Sequence, residues 1–264
     1  TGHIINDKTI ANRYYQYWQE LYKNPNRDDL RDAVESIQPD VDAADIDEGI
    51  TVFFSPRKKD NMLQQYANLI NSANEMVCCI YPFNIDKKFQ TVFQVDKPFL
   101  RYILLDKRAA FNQFTNNDKD LEITAGAYIH QAIDQWAAET SAGQIIKPGV
   151  DFLHNKIIMM DPLSHSPTVI TGSANYSHNS TTLNDENTLI IKGDRRVADI
   201  YFTEYVRLFD HFSFREWLNS NNKDFNPYLD ETGEWVNKYF DSPTFLSVKR
   251  KLVFKNMTDS VESP

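Results

Sequence analysis

The chain has 264 residues, 41% of them apolar and 25% charged, and carries a net charge of −9. That length suits one large domain or two modest ones, and the composition is ordinary for a globular protein. No run approaches the roughly 18 apolar residues of a membrane-spanning helix, and the net negative charge excludes global steering toward nucleic acid or anionic lipid, so any such binding must rest on local patches.

No secretory leader is visible. The sequence opens on Thr1 rather than Met, so the natural N-terminus is expected further upstream. Gly2-His3-Ile4-Ile5 reads as strand. Asp7 then caps a helix to about Lys23 that turns Ile10, Tyr14, Tyr17, Trp18 and Leu21 to one side, and Pro25 stops it. Residues 27–48 hold nine acidic and two basic side chains, −7 of the −9. We read 26–49 as an acidic linker with one short helix at 28–36, and as a domain boundary.

From Gly49 onward strands and helices alternate. Strands are predicted at 50–54, 75–81, 99–105, 121–124, 152–160, 169–171 and 188–191. Helices are predicted at 60–73, 86–95, 109–117, 128–139 and from Asp194 to about Leu218. Strands 75–81 and 99–105 lack polar alternation, as strands buried on both faces do. The rhythm predicts an α/β layered domain over 50–218. Residues 219–264 form a C-terminal extension, with Trp235, Tyr239, Phe240 and Phe245 available to pack on that domain. Cys78 and Cys79 are adjacent in a strand and point to opposite faces, which suits two core thiols rather than a disulfide or a metal pair. They favour a reducing compartment, the cytoplasm.

Shifting the N-terminal segment by 187 positions reveals an internal repeat. Ile4, Asp7, Ala11, Tyr14 and Leu21 fall on Ile191, Asp194, Ala198, Tyr201 and Leu208. Tyr15/Phe202, Trp18/Tyr205 and Tyr22/Phe209 are similar pairs. Residues 1–25 therefore read as the closing strand and helix of a preceding repeat, whose own copy of the site would lie just ahead of Thr1.

The chemistry concentrates between His154 and Glu186. On a strand, His154 and Lys156 at i and i+2 share a face roughly 6.6–7 Å apart. An imidazole can then reach a phosphorus while an ammonium grips a non-bridging oxygen of the same group. Histidine near neutrality serves as nucleophile or proton donor, and a fixed lysine offsets charge on a pentacoordinate phosphorus. Ser173 and Asn175, on a turn that Gly172 permits, offer hydroxyl and amide donors to the phosphate. Glu186 can take the other imidazole N–H and set its tautomer. Asp161, ending the strand before Pro162, is suited to holding loop backbone or the lysine. His3, His130, His165, His178 and His211 lack such company and read as structural or exposed. Zinc and nucleotide-loop signatures are missing, and so is the Gly-x-Ser-x-Gly elbow of a serine hydrolase. The site calls for neither metal nor cofactor.

His154-x-Lys156-x4-Asp161, Gly172-Ser173-x-Asn175 and Glu186 together resemble the HxKxxxxD…GSxN signature of the phospholipase D superfamily. The ten residues between Asp161 and Gly172 exceed the family's usual spacing, so Pro162 to Pro167 reads as an enlarged turn. The run Asn184 to Asn187 and the following aromatic helix are similar to a bacterial branch related to the family's endonucleases. The resemblance implies a layered sandwich with a mixed β-sheet flanked by helices. It implies a metal-independent phosphodiesterase in which two such motifs meet at a pseudo-twofold interface. One histidine then forms a phosphohistidine and the other protonates the leaving alcohol. The second motif would come from an upstream repeat or a second subunit.

Substrate stays open between nucleic acid, favoured by the branch resemblance, and phospholipid headgroups. A nuclease calls for a basic groove, for which Arg57-Lys58-Lys59, Lys87-Lys88 and Lys249-Arg250-Lys251 are candidates. A further alternative is a half-site module that is inactive without its partner repeat.

Overall fold

The computed structural model describes residues 2–82, 85–106, 120–126, 153–220 and 232–240. The predicted helices at 109–117 and 128–139, His130, the Lys249 to Lys251 cluster, Phe245 and most of the C-terminal extension lie outside those residues.

Among the described residues, seven strands form one mixed sheet: β1 (Gly49–Phe54), β2 (Met76–Tyr81), β3 (Leu100–Leu105), β4 (Leu121–Ala125), β5 (Ile157–Met160), β6 (Thr168–Gly172) and β7 (Asn187–Lys192), in the spatial order β1-β7-β6-β5-β2-β3-β4. β2, β3 and β4 run parallel, and every other pairing is antiparallel. The central strands are buried end to end because both faces are covered, and the one charge among them, Arg101 of β3, donates to the Phe93 and Val95 carbonyls. α3 (Asn61–Asn71) and α4 (Lys87–Gln94) cover one face with Met62, Tyr66, Ile70, Phe89 and Phe93. The other face is covered by α1 (Lys8–Tyr22), α2 (Arg27–Ile37) and the 26-residue α6 (Arg195–Ser220). Between β6 and β7 lies a short helix that sequence reasoning missed, α5 (His178–Thr182). Cys78 and Cys79 form no disulfide and are buried, one in each apolar layer, and burial pushes the Cys79 thiol pKa up.

The N-terminal region departs from expectation in three ways. Residues 2–7 pair with no strand. Asp7 does cap α1, its Oδ1 accepting from Ile10 N–H at 2.8 Å. Tyr17 stacks on Phe54 at 4.4 Å and donates to the Ser55 carbonyl, but Trp18, expected inward, is 55% exposed and stacks between Tyr15 and Tyr22. The acidic stretch is a packed strap rather than a linker. Leu30 and Val34 are buried, Arg31 donates to the Thr182 carbonyl, and buried Arg57 donates to Asp40 Oδ1 and the Gln38 carbonyl. An arginine cannot shed its charge, so burying it demands these acceptors.

Three side chains of the candidate basic clusters are paired with carboxylates. Arg57 is spent on the strap, Lys58 pairs with Asp32, and Lys88 pairs with Asp60 at 2.8 Å. Trp235 and Phe240, expected to pack on the domain, are more than half exposed. No helix among the described residues is long and apolar enough to cross a membrane.

Candidate active site

β5 starts at Ile157, so His154 and Lys156 precede the strand instead of sitting on it. The ladder with β6 ends at Ile157↔Thr171. Thr171 Oγ1 instead donates to the Lys156 carbonyl at 3.0 Å. The strand pleat expected to give His154 and Lys156 a face of their own is not formed: Asn155, between them, lines the same cleft, and the segment is pinned side chain to backbone. His154 and Lys156 line one cleft of about 920 Å³ with Thr171, Gly172 and Ser173.

His154 is exposed, whereas Lys156 is buried with 7% of its surface accessible. Lys156 Nζ donates to the His154 carbonyl at 2.8 Å, one use of three donors. Burial lowers its pKa from the ordinary value, and Glu186 opposes that. Burial and then the Lys156 charge lower the pKa of His154, against Glu186 and Asp106. The cleft therefore holds a cation beside an imidazole biased toward its neutral form.

Ser173 stands at the rim. Its N–H donates to the Asn187 carbonyl at 3.0 Å, and its Oγ accepts from Asn187 N–H at 3.0 Å. The hydroxyl keeps its own proton to donate, and Ser173 lines the cleft. Gly172 makes the turn possible: at φ +157°, a Cβ there would collide with the Asn187 carbonyl oxygen and lie 2.9 Å from Thr188 Cα.

The remaining predicted residues lie elsewhere. Asp161, counted with the motif's catalytic residues but read as suited to holding loop backbone or the lysine, sits at the far end of β5 and holds backbone. Its carboxylate accepts from the backbone N–H groups of Asn74, Glu75 and Met76 at 2.9, 2.8 and 2.9 Å. A residue on a positive φ of 47° at a strand end can turn its carboxylate back onto the neighbouring strand start. Asp161 is a latch between β5 and β2. Asn175 lines a smaller pocket with Phe53, Arg57, Tyr66 and Thr188, and its Oδ1 is buried with no hydrogen-bond partner among the described residues. Glu186 contributes its charge to the cleft, while its carbonyl accepts from Ser55 N–H at 2.9 Å.

Sequence reasoning missed the supports. Asp106 follows β3, and its Oδ1 accepts from Leu153 N–H at 2.7 Å. A carboxylate closing an apolar strand was the available signal. His3, read as structural or exposed, lines the cleft and shares a 2.6 Å hydrogen bond with the Tyr201 hydroxyl, and Tyr14 reaches Asn187 at 3.2 Å. The repeat had aligned the two tyrosines without indicating their task. No three His, Cys, Asp or Glu side chains among the described residues gather as a metal site.

Residues 66–210, more than half of the chain, match the family model described as "Cardiolipin synthase, PLD-like domain". The chain belongs to the phospholipase D superfamily. Its described architecture is the α/β mixed-sheet sandwich that the motif resemblance implied, and this phospholipase D-like domain is of the phosphodiesterase class. Among solved structures it is similar to Nuc from Salmonella typhimurium, a phospholipase D family member, at 18% identity over 60% of this chain and 91% of that one, with a TM-score of 0.39. NucT from Helicobacter pylori matches at 16% identity over 61% and 95%, with a TM-score of 0.45. The archaeal chromatin protein TrmBL2 matches at 13% over 78% and 70%, with a TM-score of 0.38. No curated protein matches significantly.

Proposed function

We propose that this phospholipase D-like domain hydrolyses phosphodiesters through a phosphohistidine intermediate. The observation that carries the reading is an exposed His154 imidazole sharing a cleft with the buried Lys156 ammonium and the rim hydroxyl of Ser173. Neutral imidazole attacks phosphorus, forming an N–P bond as the P–O bond to the leaving alcohol breaks. A second histidine supplies the alcohol's proton. That histidine then takes a proton from water, whose oxygen displaces His154 and restores both groups. Lys156 and Ser173 hold the non-bridging oxygens, and the burial of Lys156 strengthens its hold on a developing dianion.

The second histidine belongs to a second copy of the motif, upstream in the same protein or on a second subunit. A comparison between two helices supports this half-site reading. In the 187-residue register, Trp18 and Tyr22 of α1 correspond to Tyr205 and Phe209 of α6. Tyr205 and Phe209 are buried on β2 and β3, where Tyr205 reaches the Cys79 carbonyl and Phe209 meets Tyr102 edge-on. Trp18 and Tyr22 face solvent at 55% and 79% exposure. The aromatic face of α1 is thus the kind that α6 uses to cover a sheet, which supports reading α1 as the closing helix of another repeat.

Nucleic acid is the substrate class favoured by the branch resemblance, with phospholipid headgroups as the alternative. The neutralised Arg57, Lys58 and Lys88 lend no basic groove to the first. Turnover of bis(4-nitrophenyl) phosphate in chelator tests the chemistry, with size-exclusion chromatography reporting the assembly. Single-stranded DNA and phosphatidylcholine vesicles divide the substrates. We expect turnover, lost in His154→Ala, and acid-quenched protein carrying phosphate on a histidine. Full activity in His154→Ala would remove the assignment.

A further inference from the structure

We propose that Asp106 is a positioning residue for His154: its carboxylate fixes the chain at Leu153 from which the imidazole projects into the cleft. The proposal rests on the reading of His154 as the reacting group. Asp106 is 5% exposed and follows the last residue of β3. Its own N–H donates to the Tyr81 carbonyl at 3.2 Å, which ties it to the end of β2. The carboxylate is therefore mounted on the edge of the parallel half of the sheet, a rigid base.

From that base Oδ1 accepts from Leu153 N–H at 2.7 Å, a length typical of a charge-assisted bond. The Leu153 side chain is buried in the same apolar layer as Leu104 and Ile157. His154 to Lys156 lie outside the sheet ladder, so side-chain bonds must do what strand pairing does elsewhere. Two of those bonds act after His154: Lys156 Nζ to the His154 carbonyl, and Thr171 Oγ1 to the Lys156 carbonyl. The Asp106 bond acts on the residue before it. Held on both sides, the His154 backbone has little freedom to turn the ring away. A loosely held segment would forfeit the geometric advantage of a placed nucleophile, for which a misplacement of about 1 Å costs about a hundredfold.

Asp106 also bears a charge. Among the described groups, Lys156 lowers the His154 pKa and Glu186 and Asp106 raise it, while His3 and Tyr14 line the same cleft. A purely structural hydrogen-bond acceptor would not move the titration of the ring.

The two roles separate in two variants. Asp106→Asn keeps an oxygen for Leu153 N–H and removes the charge. NMR titration of the His154 ring, assigned by its loss in His154→Gln, should give a pKa lower by roughly half a unit, a fraction of what a carboxylate in direct contact exerts. Asp106→Ala removes the acceptor as well. Amide exchange at residues 153–156 should then quicken about tenfold or more, and kcat for bis(4-nitrophenyl) phosphate should fall about tenfold with KM nearly constant. Unchanged ring titration in Asp106→Asn together with unchanged exchange in Asp106→Ala would overturn the proposal. If Asp106→Ala does not fold, the Asp106→Asn titration decides alone. Titration and exchange need no substrate, so a chain without turnover overturns the phosphodiesterase reading and leaves this test intact.

Discussion

Tyr14 and Tyr201, 187 positions apart, each hydrogen-bond a residue that lines one cleft. The Tyr14 hydroxyl donates to Asn187 Oδ1 at 3.2 Å, and Asn187 N–H donates in turn to Ser173 Oγ. The Tyr201 hydroxyl lies 3.4 Å from Thr171 Oγ1, which donates to the Lys156 carbonyl. One tyrosine connects to Ser173 and the other to Lys156. Tyr14 lies on α1, whose Ile10 and Ala11 also line the cleft, so α1 is part of the cleft wall.

Each hydroxyl can be removed without its ring. Tyr14→Phe keeps the edge contact with Phe54 and frees Asn187. We expect KM for bis(4-nitrophenyl) phosphate to rise about threefold while stability falls by about 1 kcal/mol, the usual worth of one such bond. Tyr201→Phe should lower kcat by a similar factor, because its chain of contacts ends on Lys156. Steady-state kinetics beside urea unfolding reads both effects. Equal losses of stability with unaltered kinetics would reduce the tyrosines to packing.

The sequence carried the local half of this site and none of its tertiary half. His154, Lys156, Gly172 and Ser173 could be read because their spacing along the chain is itself the signal, and the alternation of apolar runs disclosed the strands. Asp106, Tyr14 and Asn187 could not, because each meets the cleft through a contact that only the folded sheet creates. Trp18 was misplaced for a related reason. Helical spacing identifies an apolar face, and α1 has two: one packs on Phe54 and the other faces out. The acidic stretch looked like a linker because its charges were counted without their partners. Arg57, Lys58 and Arg31 turn it into a strap.

Asp161 offers a test of the latch against catalysis. Its carboxylate accepts three backbone N–H groups that start β2. Asp161→Asn can satisfy fewer of them and turns an amide donor toward those N–H groups. Hydrogen bonds to a charged acceptor contribute about 1.5–3 kcal/mol each, and we expect a net loss of roughly 2–4 kcal/mol. Kinetic constants per folded molecule should change less than threefold. A hundredfold loss of kcat at unaltered melting temperature would return Asp161 to the chemistry.

The pH dependence has a definite sign. Burial and Lys156 hold the His154 pKa below its ordinary 6.5, and Glu186 pulls it back. A nucleophilic imidazole must be neutral, so kcat/KM should rise with pH along an acid limb centred below 6.5. Glu186→Gln removes one of the opposing carboxylates. The pKa then falls further and the limb moves to lower pH. If His154 is instead the proton donor, the alkaline limb moves in the same direction. A pH–rate profile of the two proteins checks this, and a shift to higher pH contradicts the electrostatics.

Lys156 should set stability against activity. Burial disfavours its ammonium and lowers its pKa, while Glu186 compensates in part. An unfolded lysine titrates near 10.4, so between the folded and unfolded pKa values the unfolded chain binds more protons. Stability therefore rises with pH across that window and is reduced below it. Lys156→Met fills similar space without a charge. We expect it to abolish turnover and to raise stability at neutral pH by roughly 1 kcal/mol, as neutral replacements of buried ions often do. The gain over the natural chain should shrink as pH approaches 10. Urea unfolding at pH 7 and pH 10 gives the comparison. A variant less stable at pH 7 would mean that the bond to the His154 carbonyl outweighs the cost of the buried charge, and that the cleft holds its cation for the fold as much as for the phosphate.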